Sequence, residues 1–61
     1  MPVVIVEMWE GRTVEQKRQL AADITSSFVK IGTPADKVQI ILRDIAKQNW
    51  AIGGKLCSET K

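Results

Sequence analysis

The sequence predicts an α/β fold of the β-α-β type, with parallel strands and a C-terminal β-hairpin, assembled as an oligomer. Three observations support this: a β-branched run near the amino terminus, a long amphipathic segment with clear start and stop signals, and a second apolar run. Two strands joined through a helix are parallel, with a right-handed crossover. A chain of 61 residues buries only about 60% of its unfolded surface, so partner chains are expected to add stability.

The first predicted strand runs from Pro2 to Met8. Val3, Val4, Ile5 and Val6 are β-branched, which favours a strand. Because both faces of this strand are apolar, we expect it to be covered on both sides.

The predicted helix runs from about Val14 to Ile31. Thr13 and Gln16 have the spacing of a capping box, in which each side chain bonds the other residue's backbone N–H. Gly32 and Pro34 are placed to end the helix. The apolar stripe consists of Leu20, Ile24, Phe28 and Ile31.

The second predicted strand covers Val38 to Ile45, and the tail carries the paired glycines Gly53 and Gly54. Paired glycines between short apolar pieces indicate a hairpin. Two strands and one helix leave one face of the sheet bare, so this face is expected to meet another copy of the chain.

The amino-acid composition argues against several classes of protein. The chain has 9 basic and 7 acidic residues, a net charge of +2, and the basic residues are interspersed with acids, which argues against a nucleic-acid footprint. With Cys57 alone and no histidine, neither an intrachain disulfide nor a structural zinc site is expected. No apolar run has the length of a signal peptide core or membrane span. We therefore expect a single cytoplasmic domain, residues 1–61, that binds no membrane.

Pro2 is the first candidate for chemistry. Removal of Met1, which a small following residue favours, leaves proline with a free secondary amine. An α-amino group titrates near 8, and apolar walls or a nearby cation lower the pKa of an amine. A neutral amine near pH 7 is a competent general base. The alternative is an ordinary strand start, where proline is tolerated.

Arg12 follows the first strand by one turn. A guanidinium there can bind a carboxylate through two hydrogen bonds or stabilise negative charge on an enolate. The alternative is a surface or interface ion pair. Trp9 and Trp50 are two of the three aromatic residues, and they suit either packing or a pocket that the tail of a neighbouring subunit closes.

Taken together, Pro2, the stretch EGRTVEQK at 10–17, the stretch IAKQNWAIGG at 45–54 and the total length resemble the 4-oxalocrotonate tautomerase family. The resemblance implies the β-α-β fold and a homohexamer built as a trimer of dimers. It also implies an isomerase without cofactors: a keto–enol tautomerase acting on 2-hydroxymuconate-like or related enol acids.

The resemblance also implies roles for individual residues. Pro2 corresponds to the general base, with Met1 removed, and Arg12 to the arginine that binds a substrate carboxylate. Trp50 corresponds to the aromatic wall, and Trp9 to a residue lining the pocket. Gln39 stands where well-studied members carry a second arginine from a neighbouring subunit, which favours a monoacid or an aryl enol of the phenylpyruvate type over a dicarboxylate.

The sequence leaves two alternatives to a tautomerase. A non-catalytic scaffold or binding hexamer of the same fold is favoured by Gln39 and by an attached Met1. A hydrolytic, dehalogenase-like relative requires extra arginines, and the sequence has none near Trp9 on the first strand.

Overall fold

The computed structural model describes residues 1–59 of the chain. Two longer strands and one helix form the body, followed by a small hairpin. The elements are β1 (Val3–Trp9), α1 (Val14–Lys30), β2 (Gln39–Ile45), β3 (Ala51–Ile52) and β4 (Lys55–Leu56). Single turns of 3-10 helix lie at Ala35–Lys37, Lys47–Asn49 and Cys57–Glu59.

Strands β1 and β2 pair in parallel, which confirms the predicted β-α-β arrangement. Their register puts Val3 opposite Gln39 and Trp9 opposite Ile45. The pairing extends past the start of β1, because the backbone N–H of Gln39 donates to the carbonyl of Pro2 at 3.0 Å. Both strands therefore begin at one edge of the sheet and end at the opposite edge.

The predicted capping box at the start of α1 is confirmed. The hydroxyl oxygen of Thr13 accepts from the Gln16 N–H at 3.1 Å, and the Gln16 side-chain oxygen accepts from the Thr13 N–H at 2.9 Å. The helix ends at Lys30, one residue before the predicted end. Gly32, with φ of 105°, supplies the left-handed conformation that ends many helices.

The two faces of the sheet differ in burial. Alternate residues of β1 are the more buried set, and Met8 among them is only 9% exposed. On the other face, Val3 is 50%, Ile5 51% and Ile41 42% exposed. The bare face expected from one helix on two strands is therefore present, and a single chain covers β1 on one side only.

Two ion pairs join distant parts of the chain. Lys17, in the second turn of α1, pairs with Asp44 of β2. Glu7 and Arg43 are opposite each other in the strand register, with 3.5 Å between Oε1 and Nη1. The first pair fixes the start of the helix against the end of the sheet, where the loop containing Arg12 lies.

The C-terminal hairpin is also confirmed. Strands β3 and β4 are antiparallel, and the turn residues Gly53 and Gly54 have φ of 63° and 82°. Two positive φ values are what a two-residue hairpin turn needs to follow the twist of its strands. After the hairpin, Cys57 is buried, and its N–H donates to the carbonyl of Trp50 at 2.8 Å. The tail thus folds back onto the tryptophan.

Within residues 1–59, no helix combines the length and the hydropathy needed to cross a bilayer.

Candidate functional site

The first part of the candidate site lies where β1 and β2 begin. Pro2 is half-buried there, and its carbonyl is held by the backbone of Gln39. The Gln39 side-chain amide donates to the sulfur of Met1 at 3.7 Å, so the glutamine side chain lies over the amino terminus. While Met1 is attached, the Pro2 nitrogen is an amide, whose lone pair is delocalised into the carbonyl.

The second part lies where β1 and β2 end. The rings of Trp9 and Trp50 meet edge to face, with 6.0 Å between their centroids and 77° between their planes. Arg12 is exposed in the loop that leads from β1 into α1. The structure thus brings the two predicted tryptophans together and puts the predicted arginine at the same end of the sheet.

These two parts are separated by the length of β1. From Pro2 to Trp9 the chain is extended over seven steps, roughly 23 Å at about 3.3 Å per residue. An arginine side chain spans much less than this distance. Within one chain, therefore, Pro2 and Gln39 form one group of predicted site residues, and Trp9, Arg12 and Trp50 form another.

Strand β2 has no cationic side chain next to Gln39. Arg43 shares the bare face with Gln39, but it lies four residues further along β2, roughly 13 Å away at about 3.3 Å per residue. Its guanidinium is also engaged by the Glu7 carboxylate, at 3.5 Å. The edge of the sheet beside Pro2 is therefore lined by a neutral amide.

The structure adds Lys47, which the sequence did not single out, to the second part. Its Nζ lies 4.8 Å from the centroid of the Trp9 ring, within the range of a cation–π interaction. Lys47 also borders an open depression of about 280 Å³. The other residues of that depression are Glu10, Ala46, Gln48 and Ser58.

Metal chemistry has no candidate ligand set in the described part of the chain. Residues 1–59 contain no group of three or more histidine, cysteine, aspartate or glutamate side chains arranged to hold a metal ion.

Curated proteins similar to this chain are tautomerases. A probable tautomerase of Bacillus cereus is 38% identical over 60 residues, covering 97% of this chain and 98% of the relative. A 2-hydroxymuconate tautomerase of Bacillus subtilis is 37% identical over 60 residues, covering 97% of each.

Solved structures agree with the fold. The crystal structure of a homologue of 4-oxalocrotonate tautomerase superposes with a TM-score of 0.93 at 34% identity, covering 98% of this chain and all of the other. A heterohexameric 4-oxalocrotonate tautomerase from Chloroflexus aurantiacus superposes with a TM-score of 0.90 at 27% identity, covering 100% of both chains. The profile of the Tautomerase enzyme family matches residues 2–60, and the chain belongs to the tautomerase family.

Proposed function

We propose that this chain is a cofactor-free keto–enol tautomerase of the 4-oxalocrotonate type, acting on small enol acids with Pro2 as general base. The observation that carries the proposal is the position of Pro2. The family match begins at this residue, and the backbone of Gln39 fixes its carbonyl at 3.0 Å at the edge of the sheet. The functional chain is then a single domain from which Met1 has been removed.

In the proposed reaction the free amine of Pro2 takes the proton from the hydroxyl oxygen of a conjugated enol. The electron pair of the O–H bond forms the carbonyl, and the conjugated double bonds shift along the substrate. The carbon at the far end then takes the proton back from the ammonium form of Pro2. The reaction moves one proton and one set of double bonds, so it needs no redox partner or co-substrate.

Arg12 acts on the substrate, and the tryptophans act on the amine of Pro2. The Arg12 guanidinium binds a carboxylate and draws electron density towards it as negative charge develops. Trp9 and Trp50 provide an apolar wall that disfavours the charged form of the amine. Gln39 offers a hydrogen bond to a substrate carbonyl without adding a charge.

Self-association follows from the separation of the two groups, because Pro2 and Arg12 reach one substrate only if different copies supply them. The bare face of the sheet, with Val3, Ile5 and Ile41 exposed, offers apolar area for this contact. The Chloroflexus relative is a heterohexamer by its description; for this chain we propose a homohexamer, a trimer of dimers. The lone thiol suits action in the reducing cytoplasm.

The substrate class is a 2-hydroxymuconate-like or related enol acid. The Bacillus subtilis relative is a 2-hydroxymuconate tautomerase by name. The neutral Gln39 favours monoacids and aryl enols of the phenylpyruvate type, since losing a charged hydrogen bond costs on the order of 1.5–3 kcal/mol.

The test combines an intact mass of the purified protein with ketonisation assays on 2-hydroxymuconate and phenylenolpyruvate. We expect a mass without methionine, turnover of at least one enol, and loss of most of that turnover in Pro2→Ala. Pro34→Ala is the matched control, because Pro34 lies in the loop before β2. Methionine-free protein that turns over neither enol would support the non-catalytic scaffold instead.

A further inference from the structure

Lys47 occupies a defined place beside the two tryptophans. Its carbonyl accepts a hydrogen bond from the Trp50 N–H at 3.2 Å, which closes the 3-10 turn that holds it. Its ammonium lies over the Trp9 ring at 4.8 Å. One short segment, residues 47–50, therefore presents both a cation and an aromatic wall at the end of the sheet where Arg12 lies.

No acid of the described part of the chain pairs with Lys47. Residues 1–59 contain three ion pairs, and Lys47 takes part in none of them, although Glu10 borders the same depression. Its partner is the π face of Trp9, which is 37% exposed. A hydrogen bond between two charged groups is stronger than a neutral one, and an exposed cation–π contact is weak. An incoming carboxylate can therefore recruit this ammonium.

We propose that Lys47, whose ammonium lies over the Trp9 ring, determines specificity by binding the second anionic group of a substrate in the depression that Lys47 and Glu10 line. This inference rests on the proposed function, since it names a further residue of the same site. Lys47 then supplies a charge that the neutral Gln39 lacks, so that a dicarboxylate held by Arg12 and Lys47 is accepted in addition to the monoacids that Gln39 favours. Glu10 opposes this binding, because its carboxylate borders the same space.

The test uses adipate and hexanoate, six-carbon acids with two carboxylates and one, which cannot tautomerise. Their binding is followed by isothermal titration calorimetry, whose signal does not depend on which side chain stands at position 47. We expect Lys47→Met to weaken adipate binding about tenfold and to leave hexanoate binding unchanged. Lys47→Arg should retain adipate binding, and Glu10→Gln should tighten it.

Lys55→Met is the matched control, because it removes the same charge from an exposed position in β4. Equal adipate affinity in Lys47→Met and Lys55→Met, or no adipate binding by the unchanged protein, would overturn the proposal. The measurement is repeated in Pro2→Ala, where no turnover is expected. Lys47-dependent adipate binding in that variant would show that the anion site does not need the base. If the unchanged, methionine-free protein binds adipate through Lys47 but turns over neither enol, the tautomerase proposal fails and the anion site stands.

Discussion

Trp9 and Trp50 pack edge to face, with ring centroids 6.0 Å apart, and this contact joins the end of β1 to the segment that follows β2. Aromatic pairs in this geometry contribute about 0.5–1.5 kcal/mol beyond the area they bury. The Lys47 ammonium lies over the Trp9 ring. The Cys57 N–H donates to the Trp50 carbonyl. The ring pair and this hydrogen bond thus connect the tail to the end of the sheet.

Replacing Trp50 by alanine is expected to lower the free energy of unfolding by on the order of 2 kcal/mol, because the ring pair is lost and the tail loses its attachment. Trp50→Phe keeps a ring at the same place and should lose less than half as much. Urea denaturation of the three proteins gives these differences. Equal losses for alanine and phenylalanine would show that the ring contact contributes nothing.

Thr13→Ala removes one half of the capping box and is expected to cost about 1 kcal/mol of stability. Because Arg12 directly precedes this cap, the loop that carries it should also become more mobile, and substrates that bind through a carboxylate should show a raised KM. Thermal unfolding and steady-state kinetics measure the two effects. Ser26→Ala, at an exposed position inside α1, is the control: it should not lower stability, because alanine favours a helix more than serine does, and it should leave KM unchanged.

The fold was predictable because its signals are local. The β-branched run, the Thr13–Gln16 box and the paired glycines each determine structure within a few residues, and the structure bears out all three. The predicted start of α1 at Val14 and the predicted end of β2 at Ile45 are confirmed, and the other ends of β1, α1 and β2 differ from prediction by one residue each. Hydrogen bonding rather than composition determines such boundaries.

The arrangement of the site was less predictable. The cation–π contact joins Lys47 to Trp9, which are far apart in the sequence, so no local sequence pattern predicts it. The separation of Pro2 from Arg12 depends on the length and direction of β1 in three dimensions. The sequence motifs indicate Pro2 and Arg12 as site residues, but only the strand register shows that the two lie far apart within a single chain.

Gln39→Arg adds a cation beside Pro2, where the structure has a neutral amide. We expect it to raise kcat/KM for 2-hydroxymuconate relative to phenylenolpyruvate by about tenfold, the worth of a charged hydrogen bond. Gln39→Met, which adds no charge, is the control and should not favour the diacid. If the arginine variant leaves the ratio unchanged, position 39 does not face the substrate.

Ile41→Glu places a charge on the bare face of the sheet, at a position 42% exposed in the single chain. The change should leave the β-α-β fold intact but dissociate the assembly, because a charge without a partner is costly to bury in an interface. Sedimentation velocity measures the assembly and circular dichroism the fold. The control is Ile31→Glu, at an apolar residue after α1 that is 77% exposed, and this variant should stay assembled. Dissociation of both variants would mean that the bare face is not the specific contact.

Mixing two variants, each of which lacks one residue of the proposed site, tests whether the site is shared between copies. Pro2→Ala keeps Arg12 but lacks the base, and Arg12→Ala keeps the base but lacks the guanidinium. If each site takes Pro2 from one copy and Arg12 from another, unfolding and refolding an equal mixture should restore activity at roughly a quarter of the sites, as random pairing in a symmetric oligomer requires. If one copy supplied both residues, every site in the mixture would carry one of the two defects, and activity would remain at the level of the separate variants. The roughly 23 Å length of β1 between Pro2 and Trp9 makes restored activity the expected result.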